Sequence, residues 1–560
     1  MRCPAPTCPK LIFLCALFAV LVPFTFASGP YQVGSANTVT ADPLVTRPTT
    51  TPCVVQLFSN AQFFDFNNED FTFTPPADCP GPWAKVVLES DISVQAGIQY
   101  DRTANYWLGP YNIYFGTTAE PSAIGPDWHV EEDLTDYSSI FTTSQSGVAS
   151  IGNTLCCGLT SIIFASADIE FYPLPKNSPA PVSANVVLPL SAGPTGGTVT
   201  LNTSTDTLTG TFTMPTNITT AYLDVWSQGQ SGDEFWYTCV PSDVASELES
   251  CSNTAFRETE ITIDGQPAGV APIFPWIFTG GIDPFLWFPL PGVQTLNMVP
   301  YRVNLTPFVG LLSNGSPHTV SISVFNANGY FEDTANLLLY TDPNITQVTG
   351  GIISNTLKAP VPTVTENLKS TSSGVTGTVA VISNRSFIIS GYANTSAGRV
   401  QTSVSQQVNY SSNQFFDIND SEYVQNITQG SSLTSSTRQM LAGQPISSNY
   451  QSYNWPLVTD ISVVVNSDGS EAQTTNVSQK YQLNTNSTSP TSFLPFVTSE
   501  INSGQHIDTL NFDSSGNFTG NTGMKSSQNY SYSDSTGYTY KCAVTAANNV
   551  LTNFSAGCAQ

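Results

Sequence analysis

The sequence has 560 residues, with 41 Asp and Glu against 16 Lys and Arg, and a net charge of −25 at neutral pH. That length predicts two or three domains, and that acidity argues against nucleic acid or an anionic membrane as partner. With only His129, His318 and His506 for imidazole ligands, and no GxSxG elbow, P-loop or dinucleotide fingerprint, neither a metal nor a cofactor is expected.

The chain opens MRCPAPTCPKLIFLCALFAVLVPFTFASG, in which Arg2 and Lys10 precede an apolar run and small residues follow. Residues 1–28 therefore read as a secretory signal peptide, with a retained anchor as the alternative. The mature protein is expected to be secreted, with no membrane association after cleavage, and its oligomeric state is left open. Residues 29–50 are polar and rich in Pro and Thr, and read as a linker or processed arm. From 51 to 175, AKVVLESDISVQA, NYWLGPYNIYFG and SIIFASADIEFYP alternate with period two, which predicts an antiparallel β domain. SPAPVSANVV, at 178–187, reads as an interdomain connection. A second β domain fills the rest of 176–345; within it Asp264-Gly265 sits between β-prone flanks, a hairpin signal. Residues 346–560 are rich in Ser, Thr and Asn yet keep alternating strands such as DISVVVNSD, which favours a third β domain over disorder.

Secretion organises two further observations. Asn-x-Ser/Thr glycosylation acceptors stand at Asn202, Asn217, Asn304, Asn344, Asn384, Asn394, Asn409, Asn426, Asn476, Asn486, Asn517, Asn529 and Asn553. Eight cysteines remain after the signal, and local pairing gives Cys53–Cys79, Cys239–Cys251 and Cys542–Cys558. Cys156 and Cys157 form a vicinal pair or pair elsewhere. The fold class is all-β, built of packed sandwiches with no long amphipathic helix.

Acidic residues cluster at four places. SGDEFWYT, at 231–238, sets Asp233 and Glu234 against three aromatic residues, where lost solvation raises a carboxylate's pKa. Asp101-Arg102 stands at a turn before Trp107, WHVEEDLTDY carries Glu131, Glu132, Asp133 and Asp136, and Arg257 precedes Glu258. Each also has a plain structural explanation: a surface ion pair, a solvated turn, or the outward face of a strand, the last being preferred for Glu260.

Eight segments occur in order: TPC, PPADCPGPWAKVVLE, YDRTANYWLG, TAEP, VEEDLTDYSSIF, SGDEFWYT, FRETEITIDGQPAGVA and FPWIFTGGIDPFLW. Over residues 51–342 the chain thereby resembles the acid peptide:N-glycanase A family of plants and fungi, the peptide-N4-(N-acetyl-β-glucosaminyl)asparagine amidases, and is distantly similar to the bacterial PNGase F. The resemblance implies two jelly-roll-like β-sandwich domains with the active site in the cleft between them, followed by a glycosylated β-rich C-terminal domain. Asp101 then matches the acid of the first domain and Glu234, beside Cys239–Cys251, the acid of the second. Arg102, Glu131, Asp233 and Arg257 are expected in support, and Trp107, Trp236, Trp276 and Trp287 as sugar platforms, with packing in the core as the alternative for each tryptophan.

The implied reaction hydrolyses the amide between Asn and N-acetylglucosamine in a glycopeptide or glycoprotein. Water needs a base, the oxyanion needs stabilisation and the departing nitrogen needs a proton. Carboxylates of separated pKa can divide these tasks, with an optimum expected at mildly acidic pH. A secreted glycosidase and a non-catalytic glycan-binding protein are the two rival readings.

Overall fold

The computed structural model describes residues 31–489 and 492–558; the expected signal peptide lies outside the described residues. The first domain has strands β1 (Cys53–Phe63), β2 (Glu69–Phe73), β3 (Trp83–Val94), β4 (Thr103–Leu108), β5 (Tyr111–Thr117), β6 (Asp127–Asp133), β7 (Gln145–Ile151) and β8 (Ile163–Pro173). They form two antiparallel sheets, ordered β1-β8-β3-β6 and β2-β7-β4-β5, the interleaving of a jelly roll. The alternation read in AKVVLESDISVQA becomes the buried series Val86, Leu88, Ser90, Ile92 and Val94 along β3.

The second domain has β9 (Val186–Leu190), β10 (Val199–Leu201), β11 (Leu208–Thr213), β12 (Ile218–Gln230), β13 (Glu258–Ile263), β14 (Gln266–Pro272), β15 (Tyr301–Asn304), β16 (Pro317–Phe325) and β17 (Tyr330–Thr341). The sheets run β10-β17-β12-β15, with β9 also on β17, and β11-β16-β13-β14, a second jelly roll. The expected hairpin is β13–β14, closed by Ile263 opposite Gln266. Asp264 and Gly265 both take positive φ (49° and 75°), as a two-residue hairpin turn requires.

The remainder, from Thr349 to Phe554, differs in kind. Among the described residues it is one eleven-stranded antiparallel sheet without a second layer of its own: Thr349–Asn355 and Thr363–Thr371 both pair with Gly374–Thr395, and from there on the strands follow one another as a meander. Six successive strands, from Gly374–Thr395 to Ser492–Phe512, are 19 to 22 residues long. The second jelly roll serves as the missing layer: Tyr410 packs on Phe256 (ring centroids 5.0 Å apart), Trp455 on Phe274 (5.5 Å) and Tyr453 on Tyr301 (5.3 Å). Polar side chains share that inner face, and some of them hydrogen-bond to the jelly roll. Gln479 Nε2 donates to Pro275 O (2.5 Å), and Gln414 Nε2 to Cys239 O (2.9 Å). Burying such groups without partners would be costly.

Residues 31–50, read from sequence as a linker, run extended along the molecule and tie its ends together. Gly34 N donates to Leu551 O and Leu551 N to Ser35 O, both at 2.7 Å, which adds the arm to the last strand. Ala41 N donates to Gln528 Oε1 (2.5 Å), and Asn502 Nδ2 to Asp42 Oδ1 (2.6 Å). Arg47 then reaches the first domain, ion-pairing with Glu89, Glu131 (2.5 Å) and Glu170 (3.2 Å). Among the described residues no helix is long and apolar enough to cross a membrane.

Cys239–Cys251 and Cys542–Cys558 are disulfides. The third expected pair is not joined: Cys53 and Cys79 are hydrogen-bonded thiols, and burial and that contact push Cys79 up to about 11. Cys156 and Cys157 neighbour each other on an exposed turn, where Cys156 Sγ takes a hydrogen bond from Thr154 Oγ1 (3.4 Å). Most acceptor asparagines, including Asn384, Asn426, Asn476 and Asn529, are exposed. Asn217, Asn304 and Asn394 instead spend their amide nitrogens on Asp342 O, Thr437 Oγ1 and Thr349 Oγ1.

Candidate active site at the seam of the jelly rolls

Asp101 and Arg102 are the last residues of the loop that enters β4. Arg102 N donates to Thr118 Oγ1 and Thr118 N to Arg102 O, each at 2.9 Å, so the loop is clamped to the segment leaving β5. That clamp brings Glu120 beside Asp101, whose backbone N donates to Glu120 Oε1 (3.2 Å). Gly280, at φ +75°, covers Glu120 closely: a Cβ there would lie 2.5 Å from Oε1. Arg102 Nη2 donates to Gln99 Oε1 (2.7 Å), which is itself buried and fixed to Thr154 O and Ser161 O.

The second half comes from the end of β12. Thr103 Oγ1 donates to Gln228 Oε1 (3.0 Å) and accepts from Gln230 Nε2 (3.2 Å), joining the two domains one residue beyond Arg102. After Gln230 the chain makes a 3-10 turn, Ser231–Asp233, which presents Glu234 at the seam. Asp233 is fully buried and anchors this turn. Its Oδ2 accepts from Asn328 N and Gly329 N (2.7 Å each), and its Oδ1 from Arg257 Nε (2.9 Å). Arg257 Nη1 adds the carbonyls of Asn253, Thr254 and Phe256. The Cys239–Cys251 loop behind Glu234 is held from the C-terminal sheet as well, where Gln425 Nε2 donates to Thr238 O (3.1 Å).

Asp101, Glu120 and Glu234 thus share one field. Burial, and then the charge of Glu234, push Asp101 up to about 7, against the pull of Arg102. Burial, and then Asp101, push Glu120 up to about 8. Burial also raises Glu234. Beside one guanidinium, Asp101 and Glu120 hold protons well above the ordinary carboxylate range and Glu234 is raised in the same direction, the condition for dividing acid and base roles between them.

Several expected site residues lie elsewhere. Glu131 is on β6, where it accepts from Val45 N (2.5 Å), Arg47 and His129 and anchors the N-terminal arm. Glu89, His129 and Glu131 offer ligand atoms within 4.8 Å of one another, but Arg47 already supplies their positive partner. Asp233 and Arg257 position Glu234 from behind rather than facing the cleft. All four tryptophans are buried and present no open ring face. Trp107 lies under Gly196, Trp236 behind Gly229, Trp276 against Phe274, and Trp287 against His506 and Gly504. Glu258, adjacent to Arg257, is buried and paired with Arg385 of the C-terminal sheet, not outward.

Sequence reasoning did not single out Glu120, although TAEP is one of the eight quoted segments. An acid three residues beyond a strand, followed by Pro121, was the available signal. Phe235, read from sequence as one of three aromatics against the acids, and Tyr330, which was not singled out, are half-buried beside Glu234; burial, and then the carboxylates of Glu332 and Glu234, raise the Tyr330 hydroxyl.

The fold and these groups define the class: a two-jelly-roll protein with a cluster of raised carboxyls at the interdomain seam. Residues 43–358 match the family model described as peptide N-acetyl-beta-D-glucosaminyl asparaginase amidase A. That span exceeds half of the chain, and the chain belongs to this family. It is 29% identical over 411 residues to peptide-N4-(N-acetyl-beta-glucosaminyl)asparagine amidase A of Prunus dulcis, covering 67% of this chain and 71% of that one. Among solved structures it is similar to PNGase F from Flavobacterium meningosepticum (TM-score 0.36, 17% identity, 52% of this chain and 96% of that chain). It is also similar to PNGF-II (TM-score 0.39, 12% identity, 52% and 66%).

Proposed function

We propose that this protein is an exported glycoamidase that hydrolyses the Asn–GlcNAc amide of N-glycosylated peptides or proteins. The observation that carries the reading is the convergence of Asp101, Glu120 and Glu234, with Arg102, on one seam of a chain that belongs to the amidase family. Arg102 adjoins Asp101 and favours its charge, and the charge of Asp101 in turn helps Glu120 keep its proton. Asp101 takes a proton from water as the water oxygen adds to the amide carbon. Glu120 gives its proton to the nitrogen as the C–N bond breaks. Glu234, with Phe235 and Tyr330 beside it, holds the first sugar and polarises the linkage. The products are an Asp-containing peptide and a glycosylamine, which water converts to the free glycan and ammonia. The exposed Asn-x-Ser/Thr sites support an exported protein.

The deciding experiment is mass spectrometry of a treated glycopeptide. The amidase converts the acceptor Asn to Asp, about one mass unit heavier than the unglycosylated peptide, and releases the whole glycan. A GlcNAc stub left on Asn would make the protein a glycosidase, and binding without release would make it a lectin.

A further inference from the structure

A cavity of about 840 Å³ opens directly beside Glu120. One wall is the loop before Asp101, including Gln99 and Tyr100, and a second is the 284–288 segment with Phe285 and Phe288. The far wall belongs to the C-terminal sheet, through Asn521, Met524, Asn548 and Asn549. The volume lies within the roughly 300–1,000 Å³ of small-molecule sites.

We propose that this cavity is a subsite for the neutral glycan chain beyond the linkage sugar, and that the C-terminal sheet supplies its specificity wall. The inference rests on the glycoamidase reading and deepens it. Apart from Glu120 the lining holds no ionisable acid and no Lys or Arg, so the site suits an uncharged ligand. Amides that both donate and accept match the paired hydroxyls of a sugar, and ring faces match its apolar side. Tyr100 is 60% exposed and faces the space, and Phe285 is braced by stacking on Phe518 (5.2 Å, 22°). The amide wall is rigid. Asn548 and Asn549 form the turn between the last two strands at φ 50° and 60°, and Asn548 N donates to Met524 O (3.0 Å).

The test compares Tyr100→Ala and Asn521→Leu with the wild-type full chain on two substrates: a glycopeptide bearing a neutral oligomannose glycan and one bearing chitobiose alone. The ratio of kcat/KM for the long over the short glycan is expected to fall about tenfold in each variant, through KM. An unchanged ratio in both overturns the subsite. If wild-type protein releases neither glycan, the amidase reading fails, and titration with free oligomannose glycan decides the subsite without turnover. A tenfold weaker Kd in Tyr100→Ala supports it; equal affinity overturns it.

Discussion

At Asp233 the carboxylate is closed on every side by two backbone N–H groups and the Arg257 guanidinium, whereas Glu234, one residue later, reaches the seam. A 3-10 turn separates the two directions, so neighbouring acids acquire different surroundings: one holds the turn and the other faces the seam. Asp101 and Glu120 form the complementary pair. Asn at 101 keeps the side chain's shape but cannot take up a proton, and kcat is expected to fall by about a hundredfold or more with KM little changed. The wild-type pH profile of kcat/KM is expected to be bell-shaped. It rises as Asp101 ionises near pH 7 and falls as Glu120 deprotonates near pH 8, so burial moves the optimum above the mildly acidic value expected from carboxylates as a class. In Glu120→Gln the falling limb should vanish; its persistence would remove Glu120 from the proton-donor role.

The element that carries Glu234 is a short turn followed by a disulfide loop, with little regular structure to hold it. Its order comes from fixed points outside it: the Asp233–Arg257 pair, Cys239–Cys251, and Gln414 and Gln425 of the C-terminal sheet on Cys239 O and Thr238 O. Arg257 and Asp233 are wholly buried, so removing the cation strands a charge in the interior. Arg257→Leu is expected to lose about 3–5 kcal/mol of stability, measured by denaturant unfolding. Restoring neutrality with Asp233→Asn in the same chain should recover part of that loss but not activity, because the turn loses its ionic anchor. A single variant as stable as wild type would refute the anchoring role.

At the scale of the whole molecule, five further carboxyls are shifted upward. Burial is the first cause in each case, pushing Asp42 up to about 6, Asp508 and Glu258 to about 7, and Glu132 and Asp333 to about 8. A raised folded-state pKa means the folded chain binds the proton more tightly than the unfolded one. The corresponding stability is complete below about pH 4 and is lost as pH rises through 6 to 8. His129, raised to about 9 by the hydrogen bonds of Asp91 and Glu131 despite its burial, acts in the same sense at higher pH. Glu131 and Asp264, held below the usual range, add stability that disappears in acid. The melting temperature is therefore expected to peak near pH 5 and to decline towards pH 9, measured by scanning calorimetry. A flat or rising curve over that interval would contradict the assignment.

What the sequence determined by itself lies in local pattern. Period-two alternation gave β3 and β8, and Asp264-Gly265 fixed the β13–β14 hairpin because that turn needs two positive φ values. The ordered segments marked the family, and Asp101 and Glu234 as acids worth following. What tertiary structure decided depends on contacts between distant residues. Trp276 and Trp287 became core because a sheet formed by residues 349–554 covers them, and a ring's exposure is not encoded in its own neighbours. The Ser-, Thr- and Asn-rich C-terminal strands read only as a third β domain, because alternation reveals a buried polar face only when the opposing hydrogen-bond partners are known. Residues 31–50 read as a linker because Arg47 and Ala41 find their partners at Glu131 and Gln528, far along the chain. Glu120 entered the site for the same reason: the clamp between Arg102 and Thr118 sets it against Asp101, a proximity that forms only when the sheet does.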